Sequence, residues 1–486
     1  MGNKLSKEYA LNAKDELVVL DNRGISILHP HILKFKELKV LSIIENKLID
    51  IPELPMIEEL YASHNNISAV PNLPYSLRVL DMSFNRLFLT PNVNLGILVN
   101  CTKLVLNGNQ LEELPNSFKE CKQIEELYLD ENAFTAIPPV LCTLSQIRIL
   151  TMNKNKLKRL PLELVEMKGL RVFNINNNLI SFIPDEFTDM GIEEFDVSNN
   201  LLTSLPKDFG KLHLTYFDIS NNQQFEDLPA SFCYLPLNFL NISKTKLFAI
   251  PDVSQMPLNE FILRDNKQIV SIEGIPRSLE KLDCKSCSLK NLPSYIGECP
   301  LEFIDISHNE LRSNGIPDSF STMYSLKKLL ASHNYFDLIP LSLLQCTMLL
   351  ELDLSNNLLI TMPEAIMQLS NLEKFYINRN KLTQLPEAIG SLPLQVLEVR
   401  ENQIGALPKS IGNLGRAIRL DVSHNKITVL PTEMVNLNTG TLQFLVLDDN
   451  PLIDPPIEVV RAGLKAIMEY MKTRKSDDKL GNKKKK

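Results

Sequence analysis

The sequence predicts an α/β solenoid of about twenty short repeats, whose strands build a continuous parallel sheet on the concave face. Three observations predict it. One pattern, L-x-x-L-x-L-x-x-N-x-L-x-x-L-P, recurs along most of the 486 residues. It runs through "LLELDLSNNLLITMPEAIMQLSN" from Leu349, with Met362 in the last apolar slot, and passes without a break into "LEKFYINRNKLTQLPEAIGSLP" from Leu372. The asparagine of the pattern returns every 19 to 25 residues. Finally, the L-x-L core has the period of two that sends both leucines to one face of a strand.

The register is read from the asparagine slot. It holds Asn46, Asn65, Asn85, Asn109, Asn132, Asn155, Asn178, Asn200, Asn222, Asn266, Asn309, Asn334, Asn357, Asn380, Asn402, Asn425 and Asn450, with Thr245 and Cys287 in two further units. A degenerate unit at Leu17 to Leu28, with Arg23 in the slot, precedes these nineteen. The slot falls where the chain turns away from the strand. A carboxamide there can satisfy backbone groups of the buried turn, and stacked copies make a ladder. A hydroxyl or thiol does this less well, so Thr245 and Cys287 are expected to be weak rungs. The proline after the last leucine opens the return segment. This template is that of the leucine-rich repeat, which the chain resembles over residues 15–456.

Spacing predicts local shape. Units of 22 or 23 residues leave room for a helical turn on the outside, as in "PEAIMQLSN". Units of 19 and 20, around "PELPMIEE" and "PNLPYSLR", leave only an extended return, and Asn222 to Cys287 is also short or irregular. Curvature is expected to change at those two places. Twenty strands at ~4.8 Å would give an inner arc of roughly 90 Å. At the end, Pro455-Pro456 stops the repeats, and Ile457, Val460, Leu464, Ile467, Met468 and Met471 recur at helical spacing. Residues 457–472 are therefore expected to form a helix capping the last repeat, as solenoids require. Residues 473–486 are read as a basic, disordered tail.

Composition narrows the function. Lys plus Arg number 51 and Asp plus Glu 58, a formal net charge of -7, which argues against bulk nucleic-acid binding. No apolar run is long enough for a bilayer and the start lacks the apolar core of a secretory signal, so the cytoplasm is the expected location. The eight cysteines are then read as reduced thiols. Phosphate-binding, zinc-protease and nucleophile-elbow motifs do not occur, and glycine is only 17 residues. No catalytic residue, metal ligand or cofactor is assigned, and the chain is read as non-enzymatic. Cys284-x-x-Cys287 looks like a redox or zinc pair, but the two cysteines fill the second leucine slot and the asparagine slot, and no second pair accompanies them. His64, His308, His333 and His424 share the position before the slot, as variants of S-N-N.

The residue between the two strand leucines faces out of the sheet. With the residue two places earlier it traces an acidic stripe with aromatics near its N-terminal end, the mixture found in binding hot spots. Tyr61, Glu126, Tyr128, Asp130 and Glu131 are the leading partner-binding candidates, followed by Asp196 and Asp218. Aspartate here is also common in the repeat itself, as in "LDLSNN", where it is a solvated face.

The ending "NPL..PP.EVV..G..AI.EYM" and the "LP.E/.I..L..L" returns resemble the Ras-group intracellular leucine-rich repeat scaffolds. The resemblance covers most of the chain and its motifs are largely structural. It implies a cytosolic signalling scaffold whose concave face grips a Ras-like small GTPase or a phosphatase. No GTPase-contact residue lies in the matched motif, and no basic-x-[VI]-x-F phosphatase-docking motif occurs. An alternative is a recognition subunit acting in trans on a phosphatase or cyclase. The first residues, "MGNKLS", fit the myristoylation template with Gly2 as acceptor. One acyl chain anchors only marginally, and a second signal is available in Lys483, Lys484, Lys485 and Lys486 at the end of the basic tail. A lipid-anchored scaffold at the cytosolic membrane leaflet is the combined expectation.

Overall fold

The computed structural model describes residues 14–89 and 93–483. Gly2, Lys484, Lys485, Lys486 and the side chain of Lys483 lie outside the described residues. The chain divides into two compact units, residues 1–246 and 247–486. The division falls inside the stretch from Asn222 to Cys287 that the spacing marks as irregular.

In the first unit the strands are β1 (Leu17–Val19), β2 (Val40–Ser42), β3 (Glu59–Tyr61), β4 (Val79–Asp81), β5 (Lys103–Val105), β6 (Glu126–Tyr128), β7 (Ile149–Thr151), β8 (Val172–Asn174), β9 (Glu194–Asp196), β10 (Tyr216–Asp218) and β11 (Phe239–Asn241). Each pairs in parallel with the next in sequence order. The second unit holds β12 (Glu260–Ile262), β13 (Lys281–Asp283), β14 (Phe303–Asp305), β15 (Lys328–Leu330), β16 (Glu351–Asp353), β17 (Lys374–Tyr376), β18 (Val396–Glu398), β19 (Arg419–Asp421) and β20 (Phe444–Val446), again parallel and in order. Each strand is one L-x-L core. In β3, Leu60 is buried, as is Ala62 just beyond the strand, while Glu59 and Tyr61 face outward.

The return segments obey the spacing. "PEAIMQLSN" contains a 3-10 turn at Glu364–Gln368, whereas residues 51–58 and 71–78 contain none. An apolar cavity of about 420 Å³ opens beside the first of these extended returns, between Phe35, Leu38, Leu54 and Met56. The 3-10 turns approach their neighbours closely where glycine allows it. A Cβ on Gly297 would stand 1.8 Å from the Ser319 carbonyl oxygen of the next repeat, but nothing lies within 4 Å of one on Gly405. Gly297→Ala is therefore expected to lower stability by about 1–3 kcal/mol. Gly405→Ala should leave it unchanged or raise it by roughly 0.5 kcal/mol. Urea midpoints of the two variants, compared at equal slope, check the pair.

The asparagine ladder forms as the slot predicts. Asn132 donates Nδ2–H to the carbonyls of Leu106, Leu129 and Asp130 at 3.0–3.1 Å, and its Oδ1 accepts the Leu111 N–H at 3.0 Å. The same set recurs at Asn65, Asn85, Asn109, Asn155, Asn178, Asn200, Asn222, Asn309, Asn334, Asn357, Asn380, Asn402 and Asn425, which are all buried. Asn46 and Asn450 carry the ladder at the two ends of the run. The Cys287 thiol reaches one carbonyl at 3.3 Å and a second only at 3.9 Å.

The ladder also explains the histidine register. In all twenty repeats the residue before the slot has a positive φ, between +51° and +62°. This left-handed conformation costs a non-glycine residue roughly 1–2 kcal/mol, and asparagine, aspartate and histidine adopt it more readily than most. His64, His308, His333 and His424 thus occupy positions chosen for backbone geometry.

The end of the chain differs in detail from the sequence reading. Two helices follow Pro456 rather than one: α1 (Ile457–Arg461) and α2 (Leu464–Lys483), separated where Gly463 takes φ +90°. Only Ile467, Met468 and Met471 of the six predicted apolar positions are buried. Helix α2 also passes residue 472, where the disordered tail was expected to begin. Its basic residues hold it down: Arg474 donates to the Leu430 carbonyl at 3.0 Å and pairs with Asp454 at 2.8 Å, and Lys475 donates to Asn436 Oδ1 at 3.0 Å.

Candidate functional site

In each strand the first and third side chains stand on the outer side of the sheet, and the residue two places on continues the same face. Across β1–β11 these three positions carry eight carboxylates, Asp21, Glu59, Asp81, Glu126, Asp130, Glu194, Asp196 and Asp218, against one cation, Lys103. Across β12–β20 they carry eight carboxylates and seven cations. There the charges neutralise one another: Lys328 and Lys374 both pair with Glu351, at 2.8 and 3.5 Å, and Arg419 pairs with Glu398 at 2.6 Å and Asp421 at 2.9 Å. The acidic stripe read from the sequence is therefore a property of the first unit. Four of the second unit's cations, Lys281, Lys328, Lys374 and Arg419, fill the first strand position, where the first unit carries Glu59, Glu126 and Glu194.

Many of the aspartates also have backbone work. Asp81, Asp196, Asp218 and Asp353 each accept the N–H of the residue two places on, at 2.8–3.0 Å. This local bond is why "D-x-S" recurs after the strand. Asp196 further accepts from Asn176 Nδ2 at 2.6 Å and Asp218 from Asn241 Nδ2 at 2.9 Å. Burial raises the carboxyl of Asp218, and the Asp196 charge adds to the effect. These two residues are in register on adjacent strands. They stand three and four strands from β6, at least ~14 Å from Tyr128.

The leading candidates gather around β6. Tyr128 donates its hydroxyl to Glu126 at 3.0 Å. The Lys103 ammonium, from β5, pairs with the same carboxylate at 2.8 Å and lies 5.3 Å from the Tyr128 ring centre. Its hydrogen bond holds Glu126 below the usual carboxylate range, while burial and Glu126 push Tyr128 up. Asp130 bridges to the next repeat through Thr151 Oγ1 at 2.9 Å and the Asn153 N–H at 2.7 Å, and burial raises its carboxyl. Glu131, on the left-handed turn, pairs with Lys154 at 2.7 Å. Tyr61 sits apart on β3 and donates to Glu59 at 2.8 Å; burial and that carboxylate push its hydroxyl up to about 12. Sequence reasoning missed Lys103, whose signal was its register beside Glu126.

Nothing in the geometry draws metal ligands together: among the described residues no three His, Cys, Asp or Glu side chains form a group. His308 and His333 stack at 4.0 Å between ring centres. Seven of the eight thiols are buried and Cys233 is half-buried. Burial pushes Cys101, Cys121, Cys287 and Cys346 up to about 12 and Cys142 and Cys299 to about 11, and it raises Cys284 as well. A thiol-disulfide reagent at pH 8 is expected to modify Cys233 quickly and the other seven only on unfolding; rapid modification of several would contradict this packing.

The Leucine Rich Repeat family model matches residues 213–235 and 300–323, two stretches of the same strand-and-turn register. The fold is that of a leucine-rich repeat protein. Among proteins of known identity, a probable serine/threonine-protein kinase, pats1, from Dictyostelium discoideum is 36% identical over 111 residues. That match covers 21% of this chain, which spans only 4% of the kinase. Rabbit (Oryctolagus cuniculus) lumican is 26% identical over 217 residues, 42% of this chain and 95% of lumican. Among solved structures, the Arabidopsis receptor kinase HAESA, in complex with the peptide hormone IDA and the co-receptor SERK1, aligns with a TM-score of 0.60 at 22% identity, covering 90% of this chain and 79% of that one. These similarities establish the leucine-rich repeat architecture, a protein-binding fold.

Proposed function

We propose that this leucine-rich repeat protein is a non-enzymatic scaffold that binds a protein partner on the exposed sheet face of its first unit. The observation that carries the reading is the charge of that face, eight carboxylates against Lys103 alone, with Tyr61, Tyr128, Tyr216 and Phe239 interleaved. Tyr216 and Phe239 stack at 4.4 Å to form a flat platform on β10 and β11. An unneutralised, aromatic-bearing surface is complementary to a cationic partner and steers its approach. The HAESA complex supports the use of such a fold for protein and peptide recognition.

The setting is proposed to be intracellular signalling at the cytosolic membrane face, held by an acyl group on Gly2 and by Lys483–Lys486, with a Ras-like small GTPase as partner. Its support is the Ras-group resemblance of the C-terminal segment and the M-G-x-x-x-[ST] start. Gentle purification of the tagged protein from its own cells, loaded with a GTP analogue or with GDP, tests this. Recovery of a small GTPase with the analogue alone is expected. A GTPase indifferent to nucleotide, or a protein that stays soluble with unmodified Gly2, would remove the effector and anchoring parts respectively.

A further inference from the structure

Two strands of the first unit carry the same tripeptide, Glu-Leu-Tyr, and one of them is supplied with a cation from within the chain. On β6, Tyr128 donates to Glu126, and Lys103 of the preceding strand sits on both, 2.8 Å from the carboxylate and 5.3 Å from the ring centre. On β3, Tyr61 donates to Glu59 in the same way, at 2.8 Å. The register is also the same: Lys103 is opposite Glu126, and Val40 is opposite Glu59. Where the second copy has an ammonium group, the first has a valine. Among the described residues Glu59 makes no ion pair.

We infer that Glu59 and Tyr61 form a seat for one lysine or arginine side chain of the protein partner, occupied as Lys103 occupies its counterpart. The inference rests on the sheet-face reading above and narrows it to one contact. The surroundings suit that side chain. Val40 and Val79, in register on either side of Glu59, give its methylene stem apolar walls. Asp81, in register with Tyr61, adds a second carboxylate, one oxygen of which is already held by the Ser83 N–H at 2.9 Å and hydroxyl at 2.6 Å. The hydroxyl of Tyr61 remains protonated at neutral pH, so it keeps donating to Glu59 Oε2. On β6 the equivalent oxygen, Glu126 Oε2, takes both the Tyr128 hydroxyl and the Lys103 ammonium, so the tyrosine bond does not close the carboxylate to a cation. The tyrosine ring adds a cation–π face.

The test uses the full chain with carbon-13-labelled tyrosines, titrated by NMR with N-acetylarginine methylamide and, separately, N-acetylglutamine methylamide. The Tyr61 resonance, assigned with Tyr61→Phe, is expected to shift saturably with the arginine probe alone, while Tyr128 stays still in the same sample. Glu59→Gln should weaken the response at least tenfold. Val40→Lys should abolish it and Val40→Leu should keep it. Lys103→Val should make Tyr128 responsive. A silent Tyr61, equal shifts with both probes, or a response surviving Val40→Lys would overturn the inference. Tyr61 and Tyr128 are compared within the unsubstituted chain, and the only variants that comparison needs are Tyr61→Phe and Tyr128→Phe for assignment, each of which removes one hydroxyl from a partly exposed ring. If a partner binds the sheet face while Tyr61 ignores arginine, the seat is wrong and the scaffold reading stands. If arginine fills the seat and no protein binds the face, the reverse holds.

Discussion

Asn357→Ala is expected to cost about 3–5 kcal/mol, far more than an ordinary polar substitution, because it orphans both sides of a buried turn. Its Nδ2 donates to the Ala331 and Leu354 carbonyls at 3.1 Å and to that of Ser355 at 3.3 Å, and its Oδ1 accepts the Phe336 N–H at 3.0 Å. The side chain is 5% exposed, so water does not replace those bonds without opening the repeat. The neighbouring Asn356 holds φ +56°, and the ladder is what keeps that strained residue in place. Hydrogen exchange is the suitable readout, since loss should be concentrated at residues 331–357 and fade within a repeat or two on each side. A cost below 1 kcal/mol, or protection lost evenly along the second unit, would mean the ladder is ornamental.

Phe217→Ala should destabilise the first unit by a similar amount, about 3–5 kcal/mol, for a different reason. Phe173, Phe195 and Phe217 take the strand leucine slot in three consecutive repeats, and Phe187, Phe209 and Phe232 answer them from the outer turns. The Phe217 ring lies 5.9 Å from Phe195, 5.2 Å from Phe209 and 6.1 Å from Phe232, and it is fully buried. Truncation leaves a cavity walled by rings that parallel strands on both sides prevent from collapsing. Phe217→Leu, which keeps most of the volume, is expected to cost far less. Equal urea midpoints for the alanine and leucine variants would show that the aromatic spine is not a packed unit.

The sequence was most informative where the chemistry repeats. The leucine and asparagine slots give the strands, their order and their ladder, because each repeat solves the same burial problem with the same residue types. Even the two extended returns were legible, since 19 or 20 residues leave no length for a 3-10 turn. The end of the chain was less legible: the helical period at Ile457 to Met471 is continuous, and only backbone geometry shows that Gly463 breaks it. The fate of the basic segment was also out of reach, because Arg474 and Lys475 find acceptors on a repeat some forty residues earlier. At the candidate site the tyrosines and glutamates were visible as types. Their pairing, and the contrast between Lys103 beside Glu126 and Val40 beside Glu59, depend on cross-strand register, which spacings of 19 to 25 residues encode only once the slots are aligned.

The central claim is that the exposed sheet face of the first unit is the binding surface. The most direct measurement places a photo-cross-linking amino acid, one site at a time, at Val105 and Asn174 on that face and at Glu166 and Lys211 on the outer turns, in the full chain inside its own cells. A discrete cross-linked partner is expected from Val105 and Asn174, weakened by Glu59→Gln, and none from the outer turns. Cross-links confined to Glu166 or Lys211 would contradict it and move the binding surface to the opposite side of the repeats.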